Sequence, residues 1–316
     1  MLAVAAVLLV LAGAAPAVSA APAAALARPA PASPVKLTPA AADSITRAIL
    51  EDRAATEAGL MSSPISYLAT VQRVDFGAKT ALTVGSAAGN DVRIADAGIA
   101  AHHLSATVVG DSFRVQALDP GATFKLKDAE RREAVLGPSS IQAGRFTLRL
   151  SHQRFPAIIV FDPQSPRFRD YKGLRWFPVN LGYRYEVQLT PNPRPDTVII
   201  LSTRGSRRRA VRVGWFDFMA GRTACRLEAT RLLEPGVGEN DLAVFFRDAT
   251  TGKESYGVGR YVDPQRLQDG RYRLDFNLAY NPACAVSEHY NCPLPPRANA
   301  LRVAIRAGEM DSHYLH

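Results

Sequence analysis

Arg145-Phe146-Thr147-Leu148-Arg149-Leu150 is the stretch that decides the fold class. Apolar and polar residues alternate through it, so Phe146, Leu148 and Leu150 fall on one face of a strand and the polar residues on the other. Thr80-Ala81-Leu82-Thr83-Val84 and Ser112-Phe113-Arg114-Val115 repeat the pattern upstream. Turn signals separate these runs at Gly89-Asn90-Asp91, Gly110-Asp111, Asp119-Pro120-Gly121 and Gly137-Pro138. Short alternating strands at this spacing predict a β-sandwich or barrel over residues 61–151.

Downstream, the apolar run Ala157-Ile158-Ile159-Val160-Phe161 is read as the opening of a second β domain, residues 152–309. Further strand-like segments follow at 183–189, 197–201, 210–215, 242–246, 271–277 and 301–305. Upstream, Thr38-Pro39 has the form of an N-cap followed by Pro in the first helical turn. Ile45, Ala48 and Ile49 recur at helical spacing and Gly59 is a stop signal, which places one helix within 38–60. The expected fold class is therefore all-β: two successive sandwich- or barrel-like domains, with one N-terminal helix.

Residues 1–11 are an unbroken apolar stretch, and Val18-Ser19-Ala20 fits a small-residue cleavage site. This predicts a signal peptide over 1–20, with retention as an N-terminal anchor the alternative, and a secreted or cell-envelope location with no membrane span after cleavage. The Ala/Pro-rich residues 21–37 are expected to be a disordered linker, and 310–316 a frayed tail.

The 316-residue chain is 47% hydrophobic and carries a formal charge of +9, enough to build real cores without a disulfide. The run Arg207-Arg208-Arg209 is read as a solvated loop, and no nucleic-acid partner is expected. No Gly-rich phosphate loop, nucleophile-elbow serine or His-Glu-x-x-His is present, and no cofactor is expected.

Val84-Gly85-Ser86-Ala87-Ala88-Gly89-Asn90-Asp91-Val92-Arg93-Ile94, with Ala100-Ala101-His102-His103, resembles the forkhead-associated domain, a phosphothreonine reader. That family places Arg after the glycine and Ser three residues before the histidine. Here those positions are Ser86 and Ala100, so the resemblance implies the sandwich while phosphothreonine binding is not expected. His103 is expected to bond to a loop backbone.

The segments Asp275-Phe276-Asn277-Leu278-Ala279-Tyr280-Asn281-Pro282-Ala283-Cys284, Cys292-Pro293-Leu294-Pro295-Pro296 and Ala307-Gly308-Glu309 resemble the bacterial and archaeal family DUF1684. Trp176-Phe177-Pro178-Val179 fits the same likeness, which spans residues 45–309 and carries its signature in the last part. The resemblance implies no reaction, substrate or cofactor.

Read as a strand, 271–277 puts Tyr272, Leu274 and Phe276 toward the core and Arg273, Asp275 and Asn277 on the other face. Tyr280 and Asn281 follow, and Tyr256, Arg260 and Glu309 are candidates to join them. Two functions remain. One is a non-catalytic binding or structural module, with Asn277, Asn281 and Arg273 contacting a small polar ligand or a protein partner. The other is a hydrolase with Asp275 or Glu309 as base, Tyr256 or Tyr280 as proton donor and Arg260 as anion clamp. Cys284 and Cys292 are candidates for a disulfide; a metal site with His289 and free thiols are the alternatives, and no metal is expected.

Overall fold

The computed structural model describes residues 29–313, so the expected signal peptide, residues 21–28 and residues 314–316 lie outside the described residues. Helix α1 runs Pro39–Ser62, with the Thr38 hydroxyl accepting the Ala41 N–H at 3.3 Å. It continues through Gly59 by one turn, and the Ser63 N–H closes onto the Gly59 carbonyl.

Two sheets follow. One is ordered Thr70–Asp75, Ala157–Phe161, Phe146–Ser151, Ser139–Ala143, Phe124–Leu126, Ala129–Arg131. The other is ordered Val92–Arg93, Ala81–Gly85, Leu104–Val109, Ser112–Ala117, Glu133–Leu136. Their inner faces share one core, in which Leu82, Leu104, Phe113 and Val115 meet Ile141, Phe146, Leu148 and Leu150. The alternation read in 145–150 is realised: Phe146, Leu148 and Leu150 are buried and the residues between them are not.

The strand Ala157–Phe161 corrects the expected domain boundary. It pairs with both Thr70–Asp75 and Phe146–Ser151, and so belongs to the first sandwich. Ile158 and Val160 enter the sandwich core, while Ile159 and Phe161 pack outward with Ala69 and Phe168. Burial on both faces removes the alternation that would have tied the strand to its neighbours.

The rest of the chain is also mostly β. A long hairpin, Arg207–Ala220 with Thr223–Leu232, is flanked by Thr197–Leu201 and Leu189–Pro191. Arg184–Val187, Tyr272–Asp275 and Gln265–Arg266 form a second sheet, and Val244–Phe246 pairs with Arg260–Val262. Tyr185, Phe216, Phe218, Phe246 and Phe276 make the core between them. Among the described residues no sheet closes into a barrel, and no helix is long and apolar enough to cross a membrane.

Three further expectations are corrected. Residues 29–37 are not a disordered linker: Ala32 exchanges hydrogen bonds with Asp217 and Met219, and the Val35 N–H donates to the Arg184 carbonyl. A Pro-flanked extended strip can dock on a sheet edge without any apolar period, since only Ala32 reaches the core. Residues 310 and 311 are held, not frayed, by N–H bonds from Met310 to Arg175 and from Asp311 to Glu254. The Arg207–Arg209 run is the start of a strand rather than a loop. Its alternation drives Arg208 inward, where Glu234, the Ser202 hydroxyl and the Asn291 carbonyl surround it.

Candidate functional site

The residues grouped by sequence separate into several networks. Tyr272–Asp275 is a strand, but Phe276–Leu278 turns into a 3-10 helix capped by Asp275. That turn takes Asn277 off the strand face and buries it. Its carboxamide accepts the Asn180 N–H at 2.8 Å and donates to the Asn180 carbonyl and to Asp275 Oδ1, both at 2.9 Å. Asp275 is ion-paired with Arg184 and accepts the Asn277 N–H. Asp275 and Asn277 therefore have their capacity spent on holding the 180–184 segment, and the expected polar strand face is not formed. Arg273 lies apart, beside Gln265.

Arg260 is not placed to clamp an anion. It is 1% exposed and lies between the Phe177 and Phe246 rings. Its two terminal nitrogens donate to the carbonyls of Ile305, Ala307 and Glu309 and to Asp248, while its Nε has no partner among the described residues. Asp248 in turn accepts from the Ile305 N–H and the Thr250 hydroxyl. Tyr256 donates its buried hydroxyl to the Cys284 carbonyl at 3.1 Å, and burial pushes its phenol well above the ordinary range. Cys225, Cys284 and Cys292 are all buried free thiols, so the expected disulfide is not formed in this structure. The hydrogen bond between the two thiols pulls Cys284 down and pushes Cys292 up, leaving Cys284 the more acidic. Among the described residues no three His, Cys, Asp or Glu side chains gather as metal ligands.

Three of the expected residues, Tyr280, Asn281 and Glu309, do line one cavity of about 200 Å³. Glu309 is 5% exposed. Its Oε2 accepts the Asn281 N–H at 2.8 Å and its Oε1 the Asn281 carboxamide N–H at 2.9 Å. The same carboxamide nitrogen also donates to the Met310 carbonyl, which fixes the amide's orientation and leaves Oδ1 buried without a partner. Among the described residues no basic side chain forms an ion pair with the Glu309 carboxylate. Burial pushes its carboxyl from 4.5 up to about 7, against the Asn281 hydrogen bonds and the charge of Arg260.

Backbone geometry sets this group in place. Gly308 has φ +81°, and a Cβ there would stand 2.5 Å from the Ala279 carbonyl oxygen and 2.6 Å from that of Phe276. Only glycine allows this approach. Tyr280 is partly exposed and donates its hydroxyl to Asp263 at 3.0 Å; burial raises both groups.

The remaining wall was not foreseen. Asp52, Thr56 and Leu60 of α1 contribute from one helix face, at i, i+4 and i+8, together with Tyr67 and Trp176. Arg53 fixes the helix against this wall. Its guanidinium donates to the Phe177 carbonyl at 2.9 Å and the Asn277 carbonyl at 3.3 Å, and lies 4.8 Å from the centroid of the Trp176 ring. The sequence signal for this wall was the i, i+4 spacing alone, which every exposed helix face shares.

Residues 169–310 match the model of the family described as "Protein of unknown function (DUF1684)". The chain is also 36% identical to an uncharacterized protein of Haloarcula marismortui whose solution NMR structure is known, over 49% of this chain and 85% of that one. The TM-score of the two structures is 0.39. The chain belongs to DUF1684. No curated protein matches it. The DUF1684 match is narrower than the expected span of 45–309. It includes Trp176, Tyr280, Asn281 and Glu309, whereas Asp52, Thr56, Leu60 and Tyr67 precede it.

Proposed function

We propose that the chain is a ligand-binding module whose seat is the cavity between α1 and the Trp176–Glu309 wall. The observation that carries this reading is the pair at its base: a buried carboxyl without an ion-pair partner beside a buried carboxamide oxygen with no hydrogen bond. Buried polar atoms are almost always satisfied, and a ligand that brings a donor is one way to complete one that is not, here at the wall of a cavity. The surrounding polar groups have partners of their own, which supports a binding reading over the hydrolase reading: Asp275, Arg260 and Tyr256 are each engaged in separate structural contacts.

Two finer points belong to the same proposal. We place the protein outside the cytoplasm, on the apolar residues 1–11 followed by Val18-Ser19-Ala20. We read the first sandwich as forkhead-associated-like, a scaffold without the phosphate contacts. Supporting this, His103 uses both ring nitrogens locally, accepting the Ala100 N–H at 3.1 Å and meeting the Thr123 carbonyl at 2.9 Å. Gly85 lies where a Cβ would be 2.3 Å from the Ala101 oxygen.

The test is a ligand-observed NMR screen of small polar and aromatic fragments against the wild-type chain and Leu60→Trp, which fills the cavity from the helix side. Fragments should bind the wild type and be lost on substitution. Hits that survive Leu60→Trp unchanged place the seat elsewhere and reject the proposal.

A further inference from the structure

Given that the cavity is a binding seat, we infer that its ligand class is a small primary ammonium with an apolar or aromatic body. Among the residues lining the cavity, Asp52 and Glu309 are acidic and none is Lys, Arg or His. Arg260, whose charge reaches Glu309, has its own donors on Ile305, Ala307 and Asp248. A carboxylate removed from water without a counter-charge is costly, and a cation placed beside it offsets that cost.

The hydrogen-bonding capacity points the same way. Both donors of the Asn281 carboxamide are spent, on Glu309 and Met310, and what remains at that residue is the unpartnered Oδ1 acceptor. The two Glu309 oxygens are acceptors as well. A ligand that satisfies this base must bring donors, and an anion or a pure acceptor would meet only acceptors. A primary ammonium supplies three donors and the charge together.

The walls fit the other end of such a molecule. Trp176, Tyr67 and Tyr280 present aromatic surface, and Leu60, Leu278 and Val286 present aliphatic surface. Aromatic faces attract organic cations as well as apolar bodies. The volume, about 200 Å³, is below that of drug-sized sites and suits a fragment-sized amine.

The experiment is calorimetric titration of the full chain at pH 8, where Glu309 is ionised, with benzylammonium and with its neutral near-isostere benzyl alcohol. Wild type, Glu309→Gln, Asp52→Asn and Leu60→Trp are compared. Benzylammonium should bind at least about tenfold more tightly than benzyl alcohol, since a charged hydrogen bond exceeds a neutral one by that margin or more. Glu309→Gln should weaken benzylammonium by a larger factor than benzyl alcohol and so remove the preference. Asp52→Asn, at the exposed rim where it does not threaten folding, should weaken the ammonium alone by a smaller factor. Leu60→Trp should abolish both. Equal affinity for the two probes, or an ammonium affinity unchanged in both acidic variants, overturns the ammonium class while the cavity remains a binding seat. If neither probe binds the wild-type cavity and no other fragment does, the binding reading itself falls.

Discussion

Glu309 makes stability depend on pH in a direction opposite to that of most carboxylates. Its proton is held more tightly in the folded chain than in the unfolded one, since burial raises it from 4.5 to about 7. Below pH 4.5 the group is protonated in both states, and the folded chain keeps the full benefit of burying it neutral. Between 4.5 and about 7 the unfolded chain ionises first, so stability falls as pH rises through this window, and above it the loss is complete. At about 1.4 kcal/mol per tenfold change in proton affinity, the rise corresponds to roughly 3 kcal/mol. Glu309→Gln removes the titration while keeping the side chain's shape. Urea unfolding of wild type and variant at intervals from pH 4.5 to 8 should show the difference between them changing by about 3 kcal/mol, in the variant's favour at higher pH. Other titrating groups contribute to both proteins and drop out of that difference. A difference that stays flat across the window refutes the argument that Glu309 is buried without compensation.

Asp275→Asn breaks the ion pair with Arg184, which is mostly buried, and should destabilise the fold by about 3 kcal/mol in urea unfolding, with binding in the cavity retained by whatever chain stays folded. Asn299→Ala removes a side chain that bridges the Glu228 N–H and the Glu228 and Phe245 carbonyls, all buried; a loss of roughly 3 kcal/mol is expected, read by chemical denaturation. Gly308→Ala forces a Cβ onto two carbonyl oxygens at positive φ and should cost more than about 2 kcal/mol, with circular dichroism reporting a lowered Tm.

What was legible in the sequence depended on having one face in solvent. The 145–150 strand alternates because its partners bury only one side, and the pattern names its core residues correctly. The 157–161 strand is covered on both sides, so its sequence carries no mark of which sheet it joins. Arg208 was hidden for a different reason. A run of three arginines reads as surface, and its buried partner Glu234 is 26 residues away in a register that only the folded hairpin defines. Strand spacing also misplaced Asn277, because the 3-10 turn capped by Asp275 overrides the twofold period at that point. The family signature does not distinguish the places its residues take: Asn281 and Glu309 line the cavity, while Asp275 and Asn277 hold the 180–184 segment. Nothing local in the sequence joins residues 281 and 309 to a helix more than two hundred positions earlier.

The distribution of buried charge sets Glu309 apart from the ion pairs of the interior. Arg208 meets Glu234, Arg260 meets Asp248, Arg184 meets Asp275 and Arg226 meets Asp217, so these side chains enter the interior already compensated. Glu309 enters with two N–H donors from a neutral neighbour and no cation of its own. Its position requires Gly308 in a backbone conformation that other residues resist, so the exposed alternative would have been the less constrained one. Ionising Glu309 at neutral pH costs the fold roughly 3 kcal/mol relative to its protonated form. A carboxyl held in this way, in a cavity with aromatic walls and a spare acceptor beside it, holds Asn281 through both its oxygens, yet its charge at neutral pH costs the fold stability. In the proposed reading, what it contributes instead is a charge available to a ligand from outside the chain.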